Sequence, residues 1–128
     1  MDTRAAIDSI LDKAYAARKA QDAKAAAALF APDGRFMANG APGGAAVGHA
    51  ERADALKGMF EAFEVIGFQQ HCRIIDPPHA VVHWRGTFRT KNGKVGEADI
   101  LDLIEVRDGK IASLTSFFDT AYAAQLMA

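Results

Sequence analysis

The chain has 128 residues, of which 50% are hydrophobic and 24% are charged, and its formal net charge is −1. This length predicts one domain, residues 1–128, with a single core. The charge lacks the basic excess of nucleic-acid-binding proteins, and the sequence contains no apolar stretch long enough to cross a membrane. Its single cysteine, Cys72, has no disulfide partner. We therefore expect a cytoplasmic protein with neither a nucleic-acid nor a membrane partner.

The first part of the chain has helical periodicity. Apolar residues recur every three or four positions from Ile7 to Tyr15, which predicts an amphipathic helix that ends near Lys19. A second, shorter helix is expected to begin after Asp22, a typical N-cap residue. It ends at residues 31–34, where a proline and a glycine interrupt the helical pattern.

The middle of the chain predicts a short strand, a loop and a third helix. The strand covers Arg35–Asn39 and is followed by a segment rich in glycine, residues 40–48. Such a composition favours a flexible loop and suggests a lid. An amphipathic helix is then expected from His49 to a position before Gly67.

The remainder of the chain predicts a β-meander. Four strands are expected at residues 68–75, 80–90, 95–106 and 111–120, and a short helix follows them. The dipeptides Asn92-Gly93 and Asp108-Gly109 favour tight hairpins, so neighbouring strands should be antiparallel. Three helices followed by long antiparallel strands indicate an α+β fold with the helices packed on one face of a curved sheet.

One acidic residue stands on an otherwise apolar strand face. Alternate positions of this strand are Ala98, Ile100, Asp102, Ile104 and Val106. A carboxylate in such surroundings costs several kcal/mol unless it is paired, hydrogen-bonded or protonated. Asp102 is therefore the leading candidate for a functional residue, and the alternative is a buried acid that serves the structure alone.

Several short motifs also follow one another in a characteristic order. They are Tyr15 in the first helix, residues 28–33 before the first strand, Gly48 before the third helix, Trp84 with Gly86, and the segment from Asp102 to Asp119. With these motifs, nearly the whole chain resembles the SnoaL-like branch of the nuclear transport factor 2 superfamily. The resemblance implies an α+β, cone-shaped barrel of three N-terminal helices on a strongly curved, mainly antiparallel sheet around a cavity. Isomerases, cyclases, hydrolases, dehydratases and non-catalytic modules share this fold, so the fold does not set the reaction.

Two positions are similar to the oxyanion hole of ketosteroid isomerase. Tyr15 falls on its tyrosine and Asp102 on its aspartic acid. The resemblance implies that an apolar site keeps this acid protonated, so that it donates a hydrogen bond to a developing oxyanion.

The base of the isomerase has no counterpart in this sequence. Ala38 occupies its position and cannot take a proton. Asp119 resembles an acid that polyketide cyclases of the superfamily use as base, although it also suits the N-cap of the terminal helix. His71 and His49 are the alternative bases.

Strand alternation predicts which side chains face the cavity. The second long strand has an apolar face, which includes Trp84, and a polar face. We expect the apolar face to line the cavity and the polar face to contact a second subunit. On the first long strand, the same alternation groups Phe68 with Cys72 and Ile74 and places His71 opposite.

The sequence thus predicts a pocket protein that binds a small, mostly apolar, carbonyl-type molecule without a metal or cofactor, and that forms a homodimer through the outer sheet face. One interpretation is an isomerase, cyclase or dehydratase with Tyr15, Asp102 and Asp119 as catalytic residues. The alternative is a non-catalytic ligand-binding or homodimeric interaction module. The expected ligand-binding residues are Asn39, Phe60, Trp84 and Phe118.

Overall fold

A computed structural model describes residues 2–38 and 46–128 of the chain. The helices are α1 (Arg4–Lys19), α2 (Ala23–Ala28), α3 (His49–Ala62) and α4 (Thr120–Met127). The strands are β1 (Phe30–Ala38), β2 (Ala46–Val47), β3 (Phe63–Asp76), β4 (His79–Thr90), β5 (Val95–Arg107) and β6 (Lys110–Phe117). The predicted α+β class is confirmed, and the helices and strands follow the predicted order except for the short strand β2, which lies in the predicted loop. Residues 40–45 of the predicted loop lie outside the described residues.

The strands form one sheet in the order β2-β1-β6-β5-β4-β3. The long strands β3 to β6 pair with their neighbours in antiparallel hairpins, whereas β1 lies parallel to β6. The helices cover one face of this curved sheet, called the inner face below, and the core lies between them. No helix in the described ranges is long and apolar enough to cross a membrane.

Helix α1 presents one side to the sheet because its buried residues are spaced three or four positions apart. Thr3 caps the helix, since its hydroxyl accepts a backbone N–H of the first turn at 3.1 Å. Ile7, Leu11, Tyr15 and Arg18 then lie on the buried side. The periodicity that builds the core thus also carries a phenol and a guanidinium to the inner face.

Strand β1 begins five residues earlier than predicted. Pro32 and Gly34 lie within it, in an irregular stretch where the register with β6 shifts between Phe30 and Arg35. The buried side chain of Arg52 on α3 donates from Nη1 to the Gly34 carbonyl at 2.9 Å. This donor satisfies a carbonyl in the irregular stretch, so the strand includes the proline and glycine that were expected only to end the second helix.

Strand β3 contradicts the predicted grouping of its side chains. Its register with β4 shifts between Gln70 and Cys72, which reverses the alternation. Phe68 stacks on Trp84 on the inner face with ring centroids 5.0 Å apart. Cys72 and Ile74 are exposed, so the grouping of these two residues with Phe68 was wrong.

Candidate ligand-binding site

A cavity of about 420 Å³ lies between the inner face of the sheet, α3 and α4. Most of its wall consists of apolar and aromatic side chains, which suits the binding of an apolar molecule. The polar exceptions among the described lining residues are Arg18, Ser116, Asp119 and Tyr122. The cavity therefore combines a large apolar surface with a few polar positions that can orient a ligand.

Asp102 lies directly behind this wall and is fully buried. Its Oδ2 accepts hydrogen bonds from the Tyr15 hydroxyl at 2.5 Å, from Arg18 Nη1 at 3.0 Å and from Trp84 Nε1 at 3.0 Å. Its Oδ1 accepts from the Ser116 hydroxyl at 2.5 Å. Guanidinium and indole N–H groups can only donate, so this carboxylate acts as an acceptor.

The strand register explains how these groups come together. Asp102 pairs with Val82 on β4 and with Ser116 on β6, and Ser116 pairs with Ala38 on β1. Register partners project to the same side of a sheet, so these residues form one row across the inner face. Trp84 follows two positions after Val82 on that side, and α1 supplies the remaining donors from above.

The hydroxyl of Tyr15 is held in its protonated form. Burial, and next the negative charge of Asp102, raise the pKa of this phenol well above its ordinary value. Tyr15 therefore keeps its proton, and its hydroxyl donates a hydrogen bond to the Asp102 carboxylate.

Arg18 is the functional candidate that sequence reasoning missed. Its side chain is 7% exposed and forms an ion pair with Asp102. The guanidinium carbon lies 5.6 Å from the ring centres of Tyr15 and Trp84, within the range of cation–π attraction. Among the described residues, no second oxygen accepts a hydrogen bond from this guanidinium, and the side chain lines the cavity. The signal in the sequence was its spacing, three residues after Tyr15 on the buried side of an amphipathic helix.

The structure brings Tyr15 and Asp102 together but gives them a different place from the one expected. Within the described chain, neither residue is part of the cavity wall. The expectation that a protonated Asp102 donates to the ligand does not fit, because all four of its hydrogen-bond partners are placed as donors to the carboxylate. Arg18, Trp84 and Ser116 stand between this carboxylate and the cavity.

The candidate bases are widely separated. Asp119 lines the cavity and also caps α4, since its Oδ1 accepts the Tyr122 N–H at 3.0 Å. His71 is exposed on the outer face, with its ring 5.0 Å from that of His83, so it is removed from the cavity. The side chain of His49 lies outside the described residues.

Three of the four expected ligand-binding residues line the cavity. Phe60, Trp84 and Phe118 line the cavity, as does Ala38 at the end of β1. Asn39 lies outside the described residues.

An apolar cavity enclosed by a curved sheet and helices, with few polar groups on its wall, defines a cone-shaped α+β pocket protein. Residues 11–114 match the family model of the SnoaL-like domain, and the chain therefore belongs to this family.

Solved structures share the fold at low sequence identity. A candidate isomerase from Bacillus subtilis has a TM-score of 0.86 and 17% identity, with 98% of this chain and 95% of that chain covered. A candidate SnoaL-like polyketide cyclase from Jannaschia sp. CCS1 has a TM-score of 0.85 and 15% identity, covering 99% and 96%. A hypothetical protein with a ketosteroid isomerase-like fold from Catenulispora acidiphila, in complex with trimethylamine, has a TM-score of 0.81 and 16% identity, covering 92% and 91%. No curated protein matches the sequence.

Proposed function

We propose that the protein binds a small, mostly apolar molecule through a carbonyl oxygen, which accepts a hydrogen bond from Arg18. The observation that carries this proposal is a cation held by Asp102 at the wall of a mostly apolar cavity. A guanidinium in a site of low dielectric polarises a carbonyl strongly, because little water competes for it.

The remaining residues of the site have supporting roles in this proposal. Tyr15 and Asp102 act as positioning residues that fix the orientation of the Arg18 guanidinium. Phe60 and Phe118 provide apolar surface for the body of the ligand. Trp84 also provides apolar surface, and its hydrogen bond to Asp102 helps to hold the carboxylate in place. Asn39 stays a proposed ligand contact because it directly follows Ala38, which lines the cavity.

A proton transfer next to the carbonyl is the proposed reaction, of the kind that an isomerase, cyclase or dehydratase needs. The carboxylate of Asp119 takes a proton from the carbon beside the carbonyl, and the C–H electron pair moves to form an enolate. Arg18 stabilises the negative charge that develops on the oxygen. Asp119 then returns the proton to carbon, which leaves the protein unchanged. Asp119 is the only carboxylate among the described residues that line the cavity.

Binding can be tested with adamantyl methyl ketone, a rigid apolar ketone smaller than the cavity. Trp84 is the single tryptophan of the chain and lies in the wall, so its fluorescence reports directly on occupancy. We expect saturable binding that Arg18→Met weakens by about tenfold, the effect of a lost charge-assisted hydrogen bond. Lys13→Met, at an exposed position of the same helix, should leave the affinity unchanged. Absence of saturable binding would reject the proposal.

Turnover can be tested separately from binding. Deuterium exchange of the methyl hydrogens beside the carbonyl, followed by proton NMR in D₂O, measures proton abstraction without knowledge of the natural substrate. We expect the protein to accelerate the exchange and Asp119→Asn to abolish the acceleration. Asparagine also caps helices well, so this variant retains the start of α4 and its affinity for the ketone. Binding without accelerated exchange in the wild type would favour the non-catalytic ligand-binding alternative.

A second proposed function is homodimerisation through the outer face of the sheet. Leu101 and Leu103 are 44% and 43% exposed, and Phe117 is 40% exposed. Leu101 faces Phe117 across β5 and β6, and Leu103 faces Val81 on β4, which in turn faces Ile74. These side chains form a continuous apolar patch, which is typical of a contact surface. We place the dimer in the cytoplasm, where exposed, unpaired cysteine remains reduced.

Light scattering at micromolar concentration tests the dimer. We expect twice the chain mass of 13.7 kDa for the wild type. Leu103→Lys should give a monomer, because it places a charge in the apolar patch. Val95→Lys replaces an even more exposed apolar residue at the start of the same strand and should leave the dimer intact. A monomeric wild type would remove this proposal.

A further inference from the structure

We infer that the buried charge of Asp102 makes the cavity select neutral carbonyl oxygens over carboxylates of the same shape. The inference rests on the proposed function, because it concerns the ligand atom that Arg18 contacts. It assigns to Asp102 a role in specificity that is exerted through Arg18.

An arginine in a pocket ordinarily favours an anionic ligand, and here its partner removes that preference. The Arg18–Asp102 pair is 3.0 Å long, and the two side chains are 7% and 0% exposed. Water screens so buried a pair poorly, so the deep wall carries one positive and one negative charge that nearly cancel. A carboxylate at Arg18 would add a second buried negative charge without a second cation to offset the loss of its hydration.

The other groups on and behind the wall strengthen this selection. Arg18 is the only cation among the described residues that line the cavity, and the other charged residue there is Asp119. Ser116 and Trp84 already donate their hydrogens to Asp102, so neither has a donor left for a second carboxylate. Tyr15 is likewise committed and stays neutral, because burial raises its pKa.

A neutral carbonyl meets none of these costs. It accepts one hydrogen bond from a guanidinium whose other contacts are already in place, and it adds no net charge to the cavity. The apolar remainder of the wall then packs against the hydrocarbon part of the same molecule.

The test compares adamantyl methyl ketone with adamantanecarboxylate, which differ mainly by a methyl group in place of a charged oxygen. Affinities are measured by calorimetry at neutral pH, where the carboxylate is ionised. We expect the wild type to bind the ketone at least about tenfold more tightly than the carboxylate. Asp102→Asn removes the charge at nearly constant shape and should shift this ratio by about tenfold or more towards the carboxylate.

Ser116→Ala is the matched control, because it removes a hydrogen bond from the same carboxylate while leaving the charge in place. We expect this variant to lower the affinity for both ligands alike and to keep the ratio of the two affinities within about twofold of the wild-type ratio. If the role of Asp102 were purely structural, Asp102→Asn would also leave this ratio unchanged. A wild type that binds the carboxylate as tightly as the ketone overturns the inference and leaves the proposed function standing. If neither ligand binds, both the inference and the proposed function are overturned. The wild-type ratio can overturn the inference in this way even if Asp102→Asn does not fold.

Discussion

The guanidinium of Arg18 and the carboxylate of Asp102 meet at 3.0 Å, although 84 residues separate them in the chain. The contact joins the end of α1 to the middle of β5 behind the cavity wall. Removing one partner of a buried ion pair leaves the other uncompensated, which costs more than the pair itself contributes. The pair therefore links the stability of the domain to the electrostatics of its cavity.

Arg18→Met should destabilise the protein by about 3–5 kcal/mol, because it leaves the Asp102 carboxylate buried without a charged partner. Urea unfolding followed by Trp84 fluorescence measures the effect. The same substitution in an Asp102→Asn background should cost less, since no unpaired charge remains. If the losses in unfolding free energy of the two single variants add up to that of the double variant within about 0.5 kcal/mol, the two side chains are not coupled. Lys13→Met controls for the loss of a positive charge from α1.

Alkaline pH should weaken the fold through Tyr15. The folded state holds this proton more tightly than the unfolded chain, because burial and the charge of Asp102 raise its pKa. The stability that it contributes is therefore complete below pH about 10 and is lost as the pH rises from there through the folded-state pKa.

A Tyr122→Phe variant leaves Tyr15 as the only tyrosine, so that tyrosinate absorbance reports on it alone. We expect no tyrosinate in the folded variant until the alkaline unfolding transition, and ordinary titration near pH 10 in denaturant. Ordinary titration of the folded variant would contradict the buried hydrogen bond. Tyr15→Phe should remove this part of the pH dependence.

Gly96→Ala should loosen the wall that α4 provides. A Cβ at this position would meet the hydroxyl of Tyr122 and would lie 2.8 Å from Leu126 Cδ2, and both side chains line the cavity. These are ends of flexible side chains on a helix without buried residues, so we expect the free energy of unfolding to change by less than about 1 kcal/mol. The affinity for adamantyl methyl ketone should fall several-fold as α4 shifts.

Gly58→Ala is the control, because a Cβ there meets nothing within 4 Å. It lies inside α3 and should stabilise the helix by about 0.5–1 kcal/mol without changing the affinity. Equal affinities for the Gly96→Ala variant and the wild type would show that α4 does not shape the binding site.

The sequence predicted those parts of the fold that local patterns determine. Hairpins at Asn92-Gly93 and Asp108-Gly109 are present, and Gly93, Asp108 and Gly109 have the positive φ that such turns need. The course of β3 was not predictable, because its register shift near Gln70 depends on pairing with β4 rather than on its own alternation. The extension of β1 likewise depends on Arg52, a donor from another element.

The site was only half predictable for the same reason. Asp102 was recognisable because a carboxylate interrupts an apolar face. Its role was not, because whether a carboxyl group donates or accepts depends on partners from other elements. Arg18 and Ser116 reach Asp102 from α1 and β6, and no local pattern relates them to it.

A crystal structure of the protein with adamantyl methyl ketone tests the central proposal most directly. We predict that the hydrocarbon cage lies in the cavity against Phe60 and Phe118, and that the ketone oxygen is within hydrogen-bond distance of the Arg18 guanidinium. The Arg18–Asp102 ion pair should remain in place. A ketone bound outside the cavity, or inside it with its oxygen directed away from Arg18, would contradict the proposal.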